Sequence, residues 1–202
     1  MRPPLPPTAP ARPRLAATLL AALALGVTSP GAAGQGEMEV PVERQVPLLT
    51  RTLAFDRSLK GSEPLVLAVV YQDRNRASLL VRDAFVQALE ESRPIIQGRP
   101  VRVVPVSAAS PGEVARDLQR LGAEVAYVTP LRGADVSALA RALCDAEVLG
   151  LTGVRRYVTD GVALGVGMRD GRPEILLNQD AADSAGADLS ARLLQLVTLV
   201  SP

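Results

Sequence analysis

Apolar residues recur along this chain in two alternating rhythms. Val42, Val46, Leu49 and Leu53 are four, three and four residues apart, which is one face of a helix, and the pattern predicts a helix from Val42 to near Leu59, before Gly61. Pro47 falls inside it and either kinks the helix or marks its true first turn. Residues 65–71 (LVLAVVY) are a continuous, largely β-branched apolar run, as expected of a strand buried on both faces. Helical spacing returns over 77–91, where Val81, Phe85 and Leu89 form a stripe, and a second strand is expected at 101–106. Ser110, Pro111 and Glu113 form a helix start: Ser caps, Pro occupies the first helical position and Glu reaches back. Val114, Leu118 and Leu121 are the buried stripe of that helix, and Gly122 ends it. A strand at 125–129, a helix carrying Val136, Leu139, Ala140, Leu143 and Cys144, and a short strand at 148–151 follow.

Strands that alternate with single helices at this spacing connect compactly only through right-handed crossovers, so these strands are expected to be parallel with helices on both faces. The last third differs. Residues 162–168 and 174–177 flank Asp170 and Gly171, a pair that accommodates the positive φ angles of a tight hairpin. Asn178 then caps a helical segment, Gly186 interrupts it, and Leu189, Leu193, Leu196, Val197 and Val200 predict a C-terminal helix. The expected fold is a single three-layer α/β domain: a mostly parallel sheet with helices on both faces, plus a C-terminal antiparallel hairpin and helix.

The N-terminus breaks this rhythm. Arg2, Arg12 and Arg14 precede an apolar run at 15–27 (LAATLLAALALGV), which leads to the small residues Gly31, Ala32 and Ala33. A basic start, a short apolar stretch and a small-residue exit predict a signal peptide over residues 1–33. The alternative, an uncleaved anchor, is disfavoured because a bilayer-spanning helix needs about 20 apolar residues. The expected organisation is therefore signal peptide 1–33, flexible tail 34–40 and α/β domain 41–202, with the mature protein periplasmic and not membrane-spanning. Cleavage removes three arginines and no acid, leaving a slightly acidic domain.

Composition narrows the chemistry. The chain has no His, no Trp and one Cys. It therefore lacks the imidazole that Ser/His and Cys/His nucleophilic sites, His-ligated metals and histidine pH switches require. Only Phe55, Tyr71, Phe85, Tyr127 and Tyr157 are aromatic and the net charge is +1, so neither stacking platforms nor an electrostatic footprint for nucleic acid is present. The turn after the first strand, Gln72-Asp73-Arg74-Asn75-Arg76, lacks the glycines of a dinucleotide or phosphate cradle. Gly165 and Gly167, within an expected strand, signal close packing or a bulge instead. Asp180, Asp183 and Asp188 read as acids complementing helix starts rather than a cation site, and Cys144 as a packing residue on an apolar stripe rather than a redox thiol. No cofactor or metal is expected.

Loops at the carboxyl ends of parallel strands line the binding crevice of such sheets. Here they bring Asp73, Arg74, Asn75, Thr129, Arg132, Arg155, Arg156 and Tyr157 together as a candidate partner- or ligand-binding crevice. Phe85 lies on a core stripe and Tyr71 and Tyr127 lie in strands, which leaves Tyr157 as the aromatic expected to meet a partner. The plainer alternative is that adjacent arginines are simply solvated.

Asp170-Gly171-Arg172, Glu174-Ile175-Leu176-Leu177-Asn178, Ala181-Ala182, Ala185-Gly186-Ala187-Asp188-Leu189-Ser190 and Leu193-Leu194-Gln195-Leu196 together resemble the closing hairpin and helix of the YfiR-like family of periplasmic proteins. Residues 51–59 (RTLAFDRSL) are similar to that family's opening helix. The resemblance implies a commonly dimeric periplasmic domain. It also implies a repressor that binds the outer sensor domain of a membrane diguanylate cyclase and so holds down cyclic di-GMP. The paired cysteines that couple the family's best-known repressor to redox state are missing, since only Cys144 is present, and no contact motif carries over residue by residue. The leading expectation is a non-enzymatic exported regulator that forms a homodimer and binds a membrane signalling protein. A single-lobe solute-binding module is the rival. An enzyme using Asp73 or Asp160 as a base is a third reading, and nothing in the spacing pairs either with a nucleophile or metal.

Overall fold

The apolar run Leu65–Tyr71 forms β1, and the rest of the sheet is laid out around it. The computed structural model describes Met1, residues 38–59 and residues 61–201; apart from Met1, the expected signal peptide and residues 34–37 of the expected tail lie outside the described residues. In chain order the elements are α1 (Val42–Leu53), β1, α2 (Arg76–Ser92), β2 (Ile95–Ile96), β3 (Arg99–Ser107), α3 (Pro111–Leu121), β4 (Val125–Val128), α4 (Val136–Asp145), β5 (Leu149–Thr152), α5 (Arg155–Thr159), β6 (Leu164–Arg169), β7 (Arg172–Leu177), α6 (Gln179–Ser184), α7 (Ala191–Leu194) and β8 (Thr198–Leu199).

The sheet order is β2-β3-β1-β4-β5-β6-β7-β8. Strands β3, β1, β4, β5 and β6 are parallel, and β7 turns back antiparallel to β6. Helix α1 packs beside α2, while α3 packs beside α4, which also meets α6. The chain moves from β1 to β3 in one direction and then returns across β1 to β4, and right-handed crossovers in opposite directions place α2 and α3 on opposite faces. The expected α/β fold, with its C-terminal antiparallel hairpin, is the one observed.

Local signals act as their chemistry dictates. Ser110 accepts the Glu113 N–H and donates to the Glu113 carboxylate at 2.8 Å, and Gly122 ends α3 at φ 64°. Asp170 and Gly171 both take positive φ, 49° and 75°, in the β6–β7 turn. A Cβ at Gly165 would fall inside the van der Waals envelope of Val158 Cγ2, so the glycine is there for close packing.

The core centres on Phe85 stacked against Tyr127, with ring centroids 3.8 Å apart. The Tyr127 hydroxyl donates to Gln45 Oε1 at 2.8 Å, and Gln45 Nε2 donates to the Val40 carbonyl at 2.6 Å. Gln45 is wholly buried, so satisfying its amide fixes both α1 and the residues before it. Met38 and Val40 are buried as a result, which corrects the expected flexible tail at its last residues.

Three further differences have physical causes. The first helix stops at Leu53 rather than near Leu59. Buried Asp56 draws the chain away, its Oδ1 accepting the Ser58 N–H, the Ser58 hydroxyl and the Asp188 N–H. The C-terminal helix shrinks to Ala191–Leu194, because Thr198–Leu199 instead pair with the otherwise open edge of β7. The β2–β3 hairpin was not expected. Its turn residues Gln97 and Gly98 both have positive φ, 52° and 83°, and Ile95 and Ile96 are too few for a periodic signal.

Arg99, on β3, closes the far end of the molecule. Its guanidinium meets both Glu124 carboxylate oxygens at 2.6 Å and donates to the carbonyls of Leu59, Glu63 and Pro64, holding the α1–β1 connection against β3 and β4. Among the described residues, no helix is long and apolar enough to cross a membrane.

Candidate functional site

The reversal of crossover direction puts the topological switch point between β1 and β4, and ligands of open α/β sheets sit outside the carboxyl ends of strands at such a point. Two connections meet there: the 72–76 turn after β1 and the 129–135 loop after β4.

They are sewn together. Gln72 Nε2 donates to the Arg132 carbonyl at 3.0 Å, and the Arg132 N–H donates back to Gln72 Oε1 at 2.9 Å. Asn75 caps α2 by accepting the Ala77 N–H, while its Nδ2 donates to the Pro130 carbonyl at 3.2 Å. Beneath them the Ser78 and Thr129 hydroxyls lie 2.6 Å apart, Ser78 Oγ accepts the Gln72 N–H, and Thr129 donates to the Val70 carbonyl. From the other side the Tyr157 hydroxyl accepts the Leu131 N–H at 2.8 Å and donates to the Leu131 carbonyl at 3.1 Å. The loop is thus held on both flanks.

Of the eight expected crevice residues, Arg74, Asn75 and Arg132 line one concavity, Arg155, Arg156 and Tyr157 line another, Thr129 begins the loop between them, Asp73 stands in the 72–76 turn with its carboxylate at Ser107, and only some of the eight are exposed. Thr129 and Tyr157 are buried, at 0% and 1% exposure, and serve as internal struts. This corrects the expectation that Tyr157 meets a partner: its hydroxyl is directed at backbone groups that burial would otherwise leave unpaired. Asp73 is exposed but accepts the Ser107 hydroxyl. Arg155 and Arg156 open the short helix α5 rather than standing in a loop. Arg155 ion-pairs with Glu174 and Glu39 and donates to the Met168 carbonyl, and Arg156 lies 3.3 Å from Asp160. Burial alone would raise the Glu174 pKa. The Thr198 hydroxyl, Arg155 and Arg169 together outweigh that and hold it below the usual carboxylate range.

Arg74, Arg76 and Arg132 remain exposed and in no ion pair among the described residues. They line an open groove of about 460 Å³ together with Gln72, Asn75 and Ala77. Arg76 and Gln72 were not singled out from sequence, although both stand in the same glycine-free turn as Arg74. A second concavity, about 570 Å³, lies across the loop and is lined by Leu131, Val154, Arg155, Arg156, Tyr157 and Thr159. Chemically, this edge presents guanidinium groups, carried on a fixed backbone, that suit anionic oxygens.

The remaining candidates are quieter. Asp180 sits in the first turn of α6 and Asp188 pairs with Arg57 at 2.5 Å. No group of three His, Cys, Asp or Glu among the described residues is placed to hold a metal ion. Burial, with Asp145 nearby, pushes the Cys144 thiol up, and its sulfur lies 3.6 Å from the Ala181 carbonyl.

Comparison with known proteins adds a family and a fold. A family model described as YfiR/HmsC-like matches residues 59–198. No curated protein matches the chain. Among solved structures, a conserved domain protein from Vibrio cholerae O1 biovar El Tor aligns with a TM-score of 0.55 at 15% identity, covering 79% of this chain and 60% of that one. An ABC domain in complex with L-Trp from Streptococcus pneumonia aligns with a TM-score of 0.57 at 11% identity, covering 79% of this chain and 62% of that one. The open, ligand-free CD0873 substrate-binding protein from Clostridium difficile aligns with a TM-score of 0.55 at 13% identity, covering 81% and 61%. At such identities the likeness is one of fold, and this chain spans about three fifths of the length of each.

Proposed function

The chain belongs to the YfiR/HmsC-like family, and from that premise we propose that it is an exported, non-enzymatic periplasmic regulator that binds the outer domain of a membrane signalling protein, with a diguanylate cyclase as the favoured partner. The observation that carries this reading is the family match across residues 59–198, which takes in strands β1 to β7 and both loops of the switch point. The regulator is a homodimer in this reading. Its partner-facing surface is the arginine-bearing strand-end edge, where Arg74, Arg132, Arg155 and Arg156 stand on a frame fixed by Asn75, Thr129 and Tyr157. Cations gathered at such an edge favour encounter with an acidic surface, and their contribution falls as salt screens it.

Capture from native membranes tests the reading. The tagged protein is expected to retain a membrane protein with an outer sensor domain, and Arg74→Glu with Arg132→Glu is expected to release it. Retention of no such protein at low salt would overturn the reading.

A solute-binding module is the second reading, supported by the fold likeness to a substrate-binding protein. A thermal-shift screen against small metabolites separates the two, since a ligand at 100 times its Kd stabilises by about 2.7 kcal/mol.

A further inference from the structure

We propose that the groove formed by Arg74, Arg76 and Arg132 is a binding site for a small aliphatic polyanion carrying two or more carboxylate or phosphate groups. This goes beyond the partner reading, because it requires no protein to be bound.

Three observations converge. The first is charge. Three guanidinium groups line one concavity whose lining contains no carboxylate. Asp73, the acid in the same turn, keeps its charge but is not among the lining residues, its carboxylate accepting the Ser107 hydroxyl on β3. The neighbouring cations Arg155 and Arg156 are already matched by Glu39, Glu174 and Asp160, so uncompensated charge is concentrated on the β1–β4 side of the loop. Like charges gathered at a concavity repel one another and raise the local concentration of counter-anions.

The second is rigidity. The reciprocal bonds between Gln72 and Arg132, and the double engagement of Asn75 with Ala77 and Pro130, fix the two arginine-bearing segments relative to each other. Binding then requires ordering of three side chains rather than of the backbone, which lowers its entropic cost. The first turn of the 17-residue helix α2 carries no acid, so its positive end reinforces the arginines instead of being neutralised.

The third is shape and composition, which select the ligand class. The turn has no glycine, so backbone amides cannot wrap a single phosphate as a nucleotide cradle does, and recognition falls to guanidinium forks that pair bidentately with carboxylate or phosphate. The lining holds no aromatic side chain to stack on a base or ring, which favours an aliphatic ligand. A volume of about 460 Å³ lies within the range of small-molecule sites and exceeds what one inorganic ion fills.

Isothermal titration of the purified protein with citrate and with butane-1,4-diyl bisphosphate, each at ionic strength matched with sodium chloride, tests the proposal. At least one probe is expected to bind saturably with one site per chain. Arg74→Gln or Arg132→Gln is expected to weaken it roughly tenfold or more, as for loss of one charge-assisted contact. Arg116→Gln, an exposed arginine on α3, is expected to leave it unchanged. Response to the bisphosphate alone identifies phosphate as the recognised group, and response to citrate alone identifies carboxylate. Absence of saturable binding to both probes, or equal weakening by Arg116→Gln, would overturn the proposal. Membrane capture of the partner is a separate readout, so either reading can fail without the other.

Discussion

Replacing Tyr157 with Phe removes one oxygen and keeps the ring. That oxygen is bonded to both the N–H and the carbonyl of Leu131, and Tyr157 and Leu131 are 1% and 7% exposed, so water has little access to replace it. The carbonyl tolerates the loss better because under-satisfied carbonyls are less rare than orphaned amides, whereas a buried unpaired N–H costs about 1–3 kcal/mol. The ring volume is retained, so no cavity adds to that figure. In a domain of this size each kcal/mol moves Tm by about 2–4 °C, which places the expected fall at about 2–12 °C. Far-UV circular dichroism is the suitable assay, since the chain has no Trp to report unfolding by fluorescence. Membrane capture by Tyr157→Phe is expected to persist at temperatures below the melt, because the hydroxyl does not reach the surface. An unchanged Tm would refute the account of the loop as braced from the α5 side. An unchanged Tm with lost capture would restore Tyr157 as a contact residue.

Other parts of the structure make independent predictions. Arg99→Leu is expected to cost roughly 3 kcal/mol in urea unfolding, because it strands Glu124 and three carbonyls; a loss within error of zero would show that the cluster is solvated. Gly165→Ala is expected to destabilise by about 1–3 kcal/mol through collision with Val158, and Val158→Ala in the same chain is expected to recover part of the loss; strictly additive effects would refute the contact. The folded Glu174 carboxyl titrates below its unfolded value of about 4.5, so its stabilisation is present above that pH and is lost as pH falls through the folded value. Glu174→Gln is therefore expected to flatten the acid limb of the stability profile below about pH 4.5, and an unaltered limb would contradict the pairing with Arg155 and Arg169. Because burial raises the Cys144 thiol, alkylation by iodoacetamide at pH 7 is expected to be slower than for a free cysteine; a free-cysteine rate would place the thiol in solvent.

Much of this fold was legible because its strongest signals are local. An apolar run such as 65–71 has one economical fate, and the Ser110-Pro111-Glu113 start and the Asp170-Gly171 turn satisfy backbone requirements that do not depend on distant residues. What escaped depends on long-range partners. The helical spacing of Leu189 to Val200 is real, yet the open edge of β7 claims Thr198 and Leu199, and the Asp56 carboxylate claims the chain beyond Leu53. The site shows the same division. Topology brought the 72–76 and 129–135 loops together as expected of such a sheet, but which side chains face water was decided by bonds across the switch point, so Tyr157 and Thr129 turned inward while Arg76 emerged beside Arg74. Gln72 carried no signal of its own: its role exists only because Arg132 folds opposite it.

The central claim is that this chain restrains a membrane cyclase. Cyclic di-GMP in a deletion strain, measured beside the same strain carrying the gene in trans, tests it most directly. The level is expected to rise on deletion and return on complementation, with Arg74→Glu and Arg132→Glu failing to restore it despite normal accumulation in the periplasm. A level that does not move on deletion would contradict the account.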